Sequence, residues 1–263
     1  MKLAPLIGYN QTKRLGLQLP VSDGVDIDAQ LWTNMANQID AGLGGSESGQ
    51  SWEDDFMGAK HYSWTSAVTC TGTGALQSGR NGWWKMSSGA TATGSSTLNW
   101  NNAVCIDPAS NIVFGVGMCQ DTTWGSVSSA TVDIGLVDAT GANAIGFNYT
   151  SGGLTAYWQG KTVVASSSYL VSTTQVASAP IGFSFGSQTP TWLRIEVNSV
   201  AGSASFYVCP VTAYNVADTE VLIGTITNIP AAGAVLQPRI KIVSATNGAQ
   251  NLYVDYVYLT TDR

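Results

Sequence analysis

Charge is scarce in this chain. Only 11% of its 263 residues are Asp, Glu, Lys or Arg, less than half the roughly 25% usual in globular domains. The eleven Lys and Arg are scattered, and the formal net charge is −6. Nucleic acid and anionic membrane surfaces are therefore not expected partners, since both demand clustered basic side chains. Histidine occurs once, as His61, which excludes a histidine metal cluster and makes any Ser-His-Asp triad depend on that residue. The four cysteines, Cys70, Cys105, Cys119 and Cys209, show no C-x-x-C spacing, so a structural zinc site is not expected. Buried reduced thiols in strands are the simpler reading, with late-formed disulfides as the alternative. No apolar run approaches the roughly 20 residues of a membrane-spanning helix. The start, Met1-Lys2-Leu3-Ala4-Pro5, lacks the apolar core of a signal peptide, so export by that route is not expected. Walker-type phosphate loops and short-period repeats are missing too.

What is present is apolar and β-like. Hydrophobic residues make up 44% of the chain, enough for a sizeable core and too many for disorder. Composition changes near residue 50. Before it, Asp28 can cap a helix over about 28–43, in which Leu31, Met35, Ile39 and Leu43 form one stripe, widened by Trp32 and Ala36. Gly42 and Gly44 end it, and the Gly/Ser-rich stretch 44–51 reads as a linker. A helix of about four turns is marginal alone, so its apolar face is expected to pack on the β domain, on copies of itself, or on a larger assembly.

From Trp52 onward, Gly, Ser, Thr and Asn clusters punctuate short runs of Val, Ile, Thr, Tyr and Trp. Strands are predicted near 62–71, 96–106, 111–119, 130–138, 143–150, 153–159, 180–186, 191–198, 203–209, 221–227, 235–245 and 251–260. In Trp192-Leu193-Arg194-Ile195-Glu196-Val197, the residues Trp192, Arg194 and Glu196 share one face. About a dozen strands with no helices between them predict an antiparallel sandwich. The expected organisation is an N-terminal arm over 1–50 and one β-sandwich over 51–263.

Two stretches carry a resemblance. The first runs through Trp192-Leu193-Arg194-Ile195-Glu196-Val197, Ala204-Ser205-Phe206-Tyr207-Val208, Gly224-Thr225-Ile226-Thr227-Asn228-Ile229-Pro230, Leu236-Gln237-Pro238-Arg239 and Val254-Asp255-Tyr256-Val257-Tyr258-Leu259. It resembles the closing half of the concanavalin A-like (laminin-G-like) jelly rolls of bacteriophage virion proteins, and Trp52-Glu53-Asp54-Asp55-Phe56 suits the first strand of such a domain. The second is Thr12-Lys13-Arg14-Leu15-Gly16-Leu17-Gln18-Leu19-Pro20, continuing to Asn37-Gln38-Ile39-Asp40. It resembles the N-terminal attachment segments of phage tail and head fibre proteins. One departure stands out: Cys209-Pro210 and an insertion through Asp218 replace the tight Asn-Gly turn common after Phe-Tyr-Val.

The resemblance implies a non-enzymatic virion protein, a capsid decoration or short fibre protein, with no cofactor. Anchoring to other virion proteins would then fall to Leu15, Leu17, Leu19, Leu31, Trp32, Met35 and Ile39. A homo-oligomer is expected, a trimer if the stripe of Leu31, Met35 and Ile39 packs about an axis. The alternative is a host-glycan-binding module, with a glycanase as a third reading. For glycan contact, Trp83 and Trp84 are the candidates, because adjacent strand residues point to opposite faces and one of them could be exposed; the simpler reading of both is core or an oligomer contact. Trp64, Trp100, Trp158 and Trp192 lie in apolar strands and read as core. A glycanase wants paired carboxylates, and Glu53 and Asp55 are two apart beside Trp52. They also read as solvated charges guarding an edge strand. Calcium ligands from Glu53, Asp54 and Asp55, or from Asp121, Thr122 and Thr123, lack any EF-hand or Asp-rich repeat, and no metal is expected.

Overall fold

In the computed structural model, the structure describes residues 9–11, 18–20, 50–56, 60, 64–76, 83–100, 106–120, 130–150, 157–171, 191–210, 220–244 and 249–262. Two compact units divide the chain, residues 1–50 with 262–263 and residues 51–261. In the first unit, β1 (Tyr9–Gln11) and β2 (Gln18–Pro20) pair antiparallel, with Asn10 opposite Leu19. The helix expected over 28–43, and with it Leu31, Trp32, Met35 and Ile39, lies outside the described residues, as do Leu15 and Leu17.

Fifteen further strands follow in chain order. They are β3 (Gln50–Asp54), β4 (Thr65–Thr69), β5 (Thr73–Leu76), β6 (Trp84–Ser87), β7 (Ser95–Asn99), β8 (Ile112–Gln120), β9 (Ala130–Val137) and β10 (Ala144–Thr150), then β11 (Tyr157–Val164), β12 (Ser167–Leu170), β13 (Thr191–Asn198), β14 (Ser203–Pro210), β15 (Val221–Ile226), β16 (Gln237–Ser244) and β17 (Asn251–Thr261). Among the described residues there is no helix.

Two sheets result. One has seven strands in the order β12-β11-β10-β9-β16-β7-β4. The other runs β15-β14-β13-β8-β17-β6-β5, with β3 joined to β17 as its eighth strand. Neighbours such as β8 with β17 and β9 with β16 are distant in sequence and pair antiparallel. Such crossovers, rather than a simple meander, make a jelly roll. The chain is an all-β antiparallel sandwich of that kind.

Period-two alternation explains the core. Phe114, Val116 and Met118 of β8, Leu193, Ile195 and Val197 of β13, and Phe206 and Val208 of β14 turn inward from one sheet. Val132, Ile134 and Leu136 of β9, Ile145, Phe147 and Tyr149 of β10, and Ile240 and Ile242 of β16 meet them from the other. All are buried in one cluster, where Phe147 and Phe206 touch edge to face across the sheets at 5.4 Å. Ring pairs of this geometry add about 0.5–1.5 kcal/mol to their burial. Trp64, Trp100 and Trp158 belong to this core, as expected.

The strands expected near 62–71 and 96–106 contain β4 and β7, with parts of both ranges outside the described residues; of the stretch 153–159 only 157–159 is described, within β11; and the one near 180–186 lies outside the described residues. Short β5 and β12, exposed along almost their whole length, carry too few apolar residues to announce themselves. Of the cysteines whose side chains are described, Cys119 is buried as expected, whereas Cys70 is exposed in the turn after β4; Cys105 and the Cys209 side chain lie outside the description.

The hairpin from β11 to β12 turns through Ala165 and Ser166, both with positive φ (47° and 69°). Two successive left-handed residues make a type I′ turn, whose twist matches the strands but favours Asn-Gly. Left-handed φ costs a residue with a Cβ roughly 1–2 kcal/mol. Ser166→Gly is therefore expected to raise stability by about 0.5–1 kcal/mol in urea titration.

Candidate functional site: an aromatic ledge on the eight-stranded sheet

The outward face of the eight-stranded sheet is built around β8. That strand places Phe114, Val116 and Met118 inward and Gly115 and Gly117 outward, between β13 and β17. Trp192 pairs with Gly117 on one side, and Tyr256 and Tyr258 pair with Gly117 and Gly115 on the other. Three adjacent atoms of the Trp192 six-membered ring, Cη2, Cζ3 and Cζ2, lie 3.1, 3.1 and 3.2 Å from where a Cβ on Gly117 would stand. Near-equal distances mean that the ring covers the glycine with its face rather than its edge. A Cβ on Gly115 would run into the Tyr258 ring. The glycines are thus required by the rings that lie over them.

Trp192 and Tyr256 are 5.9 Å apart between centroids, and Tyr256 and Tyr258 6.0 Å. All three are half-buried, and together they form a ledge. A bulge in β17 makes this possible. The register slips between Val254 and Tyr256, so Leu252 and Val254 point inward before it and Val257 and Leu259 after it. Without the extra residue Asp255, the tyrosines would exchange faces with the core residues.

Charged groups rim the ledge. Arg194, the next outward residue after Trp192 on β13, donates from Nη2 and Nε to Glu220 at 2.5 and 2.8 Å, and from Nη1 to Glu196. Its guanidinium also lies 4.1 Å from the centre of the Tyr207 ring, and the Tyr207 hydroxyl donates to Glu196 at 3.0 Å. Burial, reinforced by the Glu196 carboxylate, raises the Tyr207 phenol above its ordinary range. At the other end the Tyr256 hydroxyl donates to Glu53. Burial, with a smaller push from the negative Asp55, lifts Asp255 from its usual value near 3.8 to about 6. Among the described residues the rim is acidic on balance: Arg194 bridges Glu196 and Glu220, Glu53 holds Tyr256 with Asp55 and Asp255 near each other, and Lys85 stands over Tyr253 further along the same face.

Trp83 and Trp84 are both buried, at 7% and 8% exposure. Trp84 joins the main core, and Trp83 packs in a small cluster with Cys119 and Tyr253. Neither offers a ring face to a ligand. Trp192, read as core, instead stands on the outer face with Arg194 and Glu196, and its shared parity with those charges was the signal for it. Of the paired acids, Glu53 is engaged by Tyr256 and Asp55 sits near Asp255. Among the described residues no group of three or more His, Cys, Asp or Glu could hold a metal ion.

The raised Asp255 carboxyl has a definite consequence. Its folded form holds the proton more tightly than an unfolded aspartate, so this contribution to stability is full below about pH 4 and lost as pH rises through about 6. Above that, the half-buried charge opposes folding. Asp255→Asn is expected to raise Tm at about pH 8 and to leave it unchanged near pH 3.5, as thermal melts at both pH values would record.

No protein-family model matches the chain, and no curated protein matches it in sequence. Solved structures do match. The CBM2 module of the evolved Dit of Lactobacillus casei BL23 phage J-1 is 11% identical, with 83% of this chain and 98% of that one covered at a TM-score of 0.55. Lectin II from Ulex europaeus is 8% identical, covering 82% and 100% at 0.54. A Shewanella oneidensis protein of unknown function is 14% identical, covering 92% and 97% at 0.53. Identities this low speak to architecture alone, and the architecture they share is the antiparallel concanavalin A-like jelly-roll sandwich.

Proposed function

We propose that the β domain is a non-enzymatic glycan-binding module whose binding surface is the ledge of Trp192, Tyr256 and Tyr258. The observation that carries this reading is the Trp192 ring lying flat over Gly117, with its far face turned from the sheet. A flat, half-buried aromatic ring accepts the C–H face of a sugar, while neighbouring carboxylates and the Arg194 guanidinium supply hydrogen bonds to hydroxyls. The acidic rim disfavours polyanions, so the ligand class is a neutral saccharide. Fold likeness to lectins and to a module of a phage Dit supports the same direction.

We further propose that residues 1–50 tether the module to a phage virion, as a capsid decoration or short fibre protein, through contacts of Leu15, Leu17, Leu19, Leu31, Trp32, Met35 and Ile39 with other virion proteins or within a homotrimer. This rests on the resemblance of that segment to fibre attachment segments.

On a glycan array, the full chain is expected to bind neutral oligosaccharides. Trp192→Ala should weaken the best hit by about tenfold or more, roughly 1.4 kcal/mol, at a cost of about 1–3 kcal/mol in unfolding free energy from the apolar area uncovered over Gly117, and a thermal melt run beside the array shows that the variant is folded. No binding to any glycan would refute the ledge reading. For the tether, deleting residues 1–45 is expected to abolish virion incorporation without loss of glycan binding. Incorporation at the normal level would refute it.

A further inference from the structure

The opposite face of the sandwich holds a second polar site of different charge. On the seven-stranded sheet, Lys161 of β11, Gly146 of β10, Gly135 of β9 and Arg239 of β16 stand in one cross-strand row. The two glycines face each other where their strands approach so closely that a Cβ on either would meet the neighbouring backbone. They leave the sheet surface bare for the width of two strands, about 10 Å. Over this gap opens a cavity of about 80 Å³, lined by Lys161 and Arg239, by Asp133, and by the apolar Val137, Ala144 and Val163.

The charges in it are unequally satisfied. Asp133 accepts from Asn148 Nδ2 at 2.9 Å and lies 3.8 Å from Lys161 Nζ. Lys241 stands directly opposite Asp133 in the register. Arg239 makes no ion pair with any described residue, and its Nε is buried without a hydrogen-bond partner. Burial also lowers its pKa, with Asp133 and Asp138 only partly compensating. A buried guanidinium donor without an acceptor is destabilising. Arg239 lines the cavity, and a planar guanidinium is the side chain best matched to a carboxylate.

We propose that this cavity is a second binding site, one that takes the carboxylate of an acidic saccharide such as a uronate. Arg239 donates to the carboxylate from one side, Lys161 supplies the second positive charge, and Val137, Ala144 and Val163 face the C–H groups of the attached ring. The cavity is too small for a whole sugar ring, so the carboxylate enters and the ring rests at the mouth. The site rests on the glycan-binding reading only for the sugar attached to the carboxylate, and it uses none of the ledge.

Ligand-observed saturation-transfer NMR on the full chain tests this, with D-glucuronate, D-glucose, acetate and inorganic phosphate as probes at matched ionic strength. D-glucuronate is expected to bind, acetate to compete with it, and D-glucose to bind about tenfold more weakly at this site. Arg239→Gln should weaken D-glucuronate by about tenfold or more. Lys161→Gln, at a side chain 28% exposed and only 3.8 Å from Asp133, should weaken it severalfold, which keeps the test decisive if the Arg239 variant misfolds in a thermal melt. Absence of D-glucuronate binding, or binding indifferent to both substitutions, would overturn the site. Phosphate competing as well as acetate would overturn its carboxylate selectivity. Loss of D-glucuronate binding in Trp192→Ala, with neither cavity variant affecting it, would move the ligand to the ledge and leave the glycan reading standing.

Discussion

Everything on the outer face of the eight-stranded sheet depends on what β8 can carry on each side. Inward it presents Phe114, Val116 and Met118 to the core. Outward it presents Gly115 and Gly117, whose missing side chains are replaced by rings arriving from the flanking strands. A strand without side chains on one face is a weak strand on its own, because glycine loses the most conformational freedom on folding. Here the loss is offset by aromatic area laid over the gap and by pairing on both edges with β13 and β17. The bulge at Asp255 belongs to the same arrangement, since it sets the parity that sends Tyr256 and Tyr258 to the rings' side of the sheet and Val257 and Leu259 to the core.

The two outer faces of the sandwich differ in sign. Carboxylates dominate around the ledge, and their repulsion is held in check by Arg194, which bridges Glu196 and Glu220. Around the cavity of the other sheet, Lys161, Lys241 and Arg239 outnumber Asp133 and Asp138, and the guanidinium is left with an unused donor. Departures from ordinary local rules gather at these two places: outward glycines, a bulge, a half-buried acid near another acid, and a buried donor without an acceptor. Sequences that otherwise fold consistently tend to concentrate such departures where they bind something.

Much of the architecture is legible in the sequence. Alternation and turn residues marked most strands from β7 onward, and the run 191–198 was located to the residue. The ledge was legible only in fragments. Trp192 shares its parity with Arg194 and Glu196, yet an aromatic ring among apolar neighbours reads as core unless the opposing strand is known. The bulge also left a trace, because the apolar sets Leu252/Val254 and Val257/Leu259 fall on opposite parities. Pairings across long sequence separations, such as Gly117 with both Trp192 and Tyr256, leave no local trace at all. Trp83 and Trp84 are adjacent residues facing opposite ways, and both sides are covered, Trp84 by the main core and Trp83 by Cys119 and Tyr253, as the simpler reading of both has it. The acid pair behaved similarly: the two-residue spacing of Glu53 and Asp55 was visible, whereas the proximity of Asp255 depends on β3 joining β17.

The central claim is that the rings over Gly115 and Gly117 are a sugar platform. A crystal structure of the full chain with its best neutral oligosaccharide tests it most directly. The account predicts a sugar ring stacked within about 4–4.5 Å of Trp192 or Tyr258, with its hydroxyls bonded to the rim carboxylates. A saccharide bound elsewhere, with the ledge bare, would contradict it.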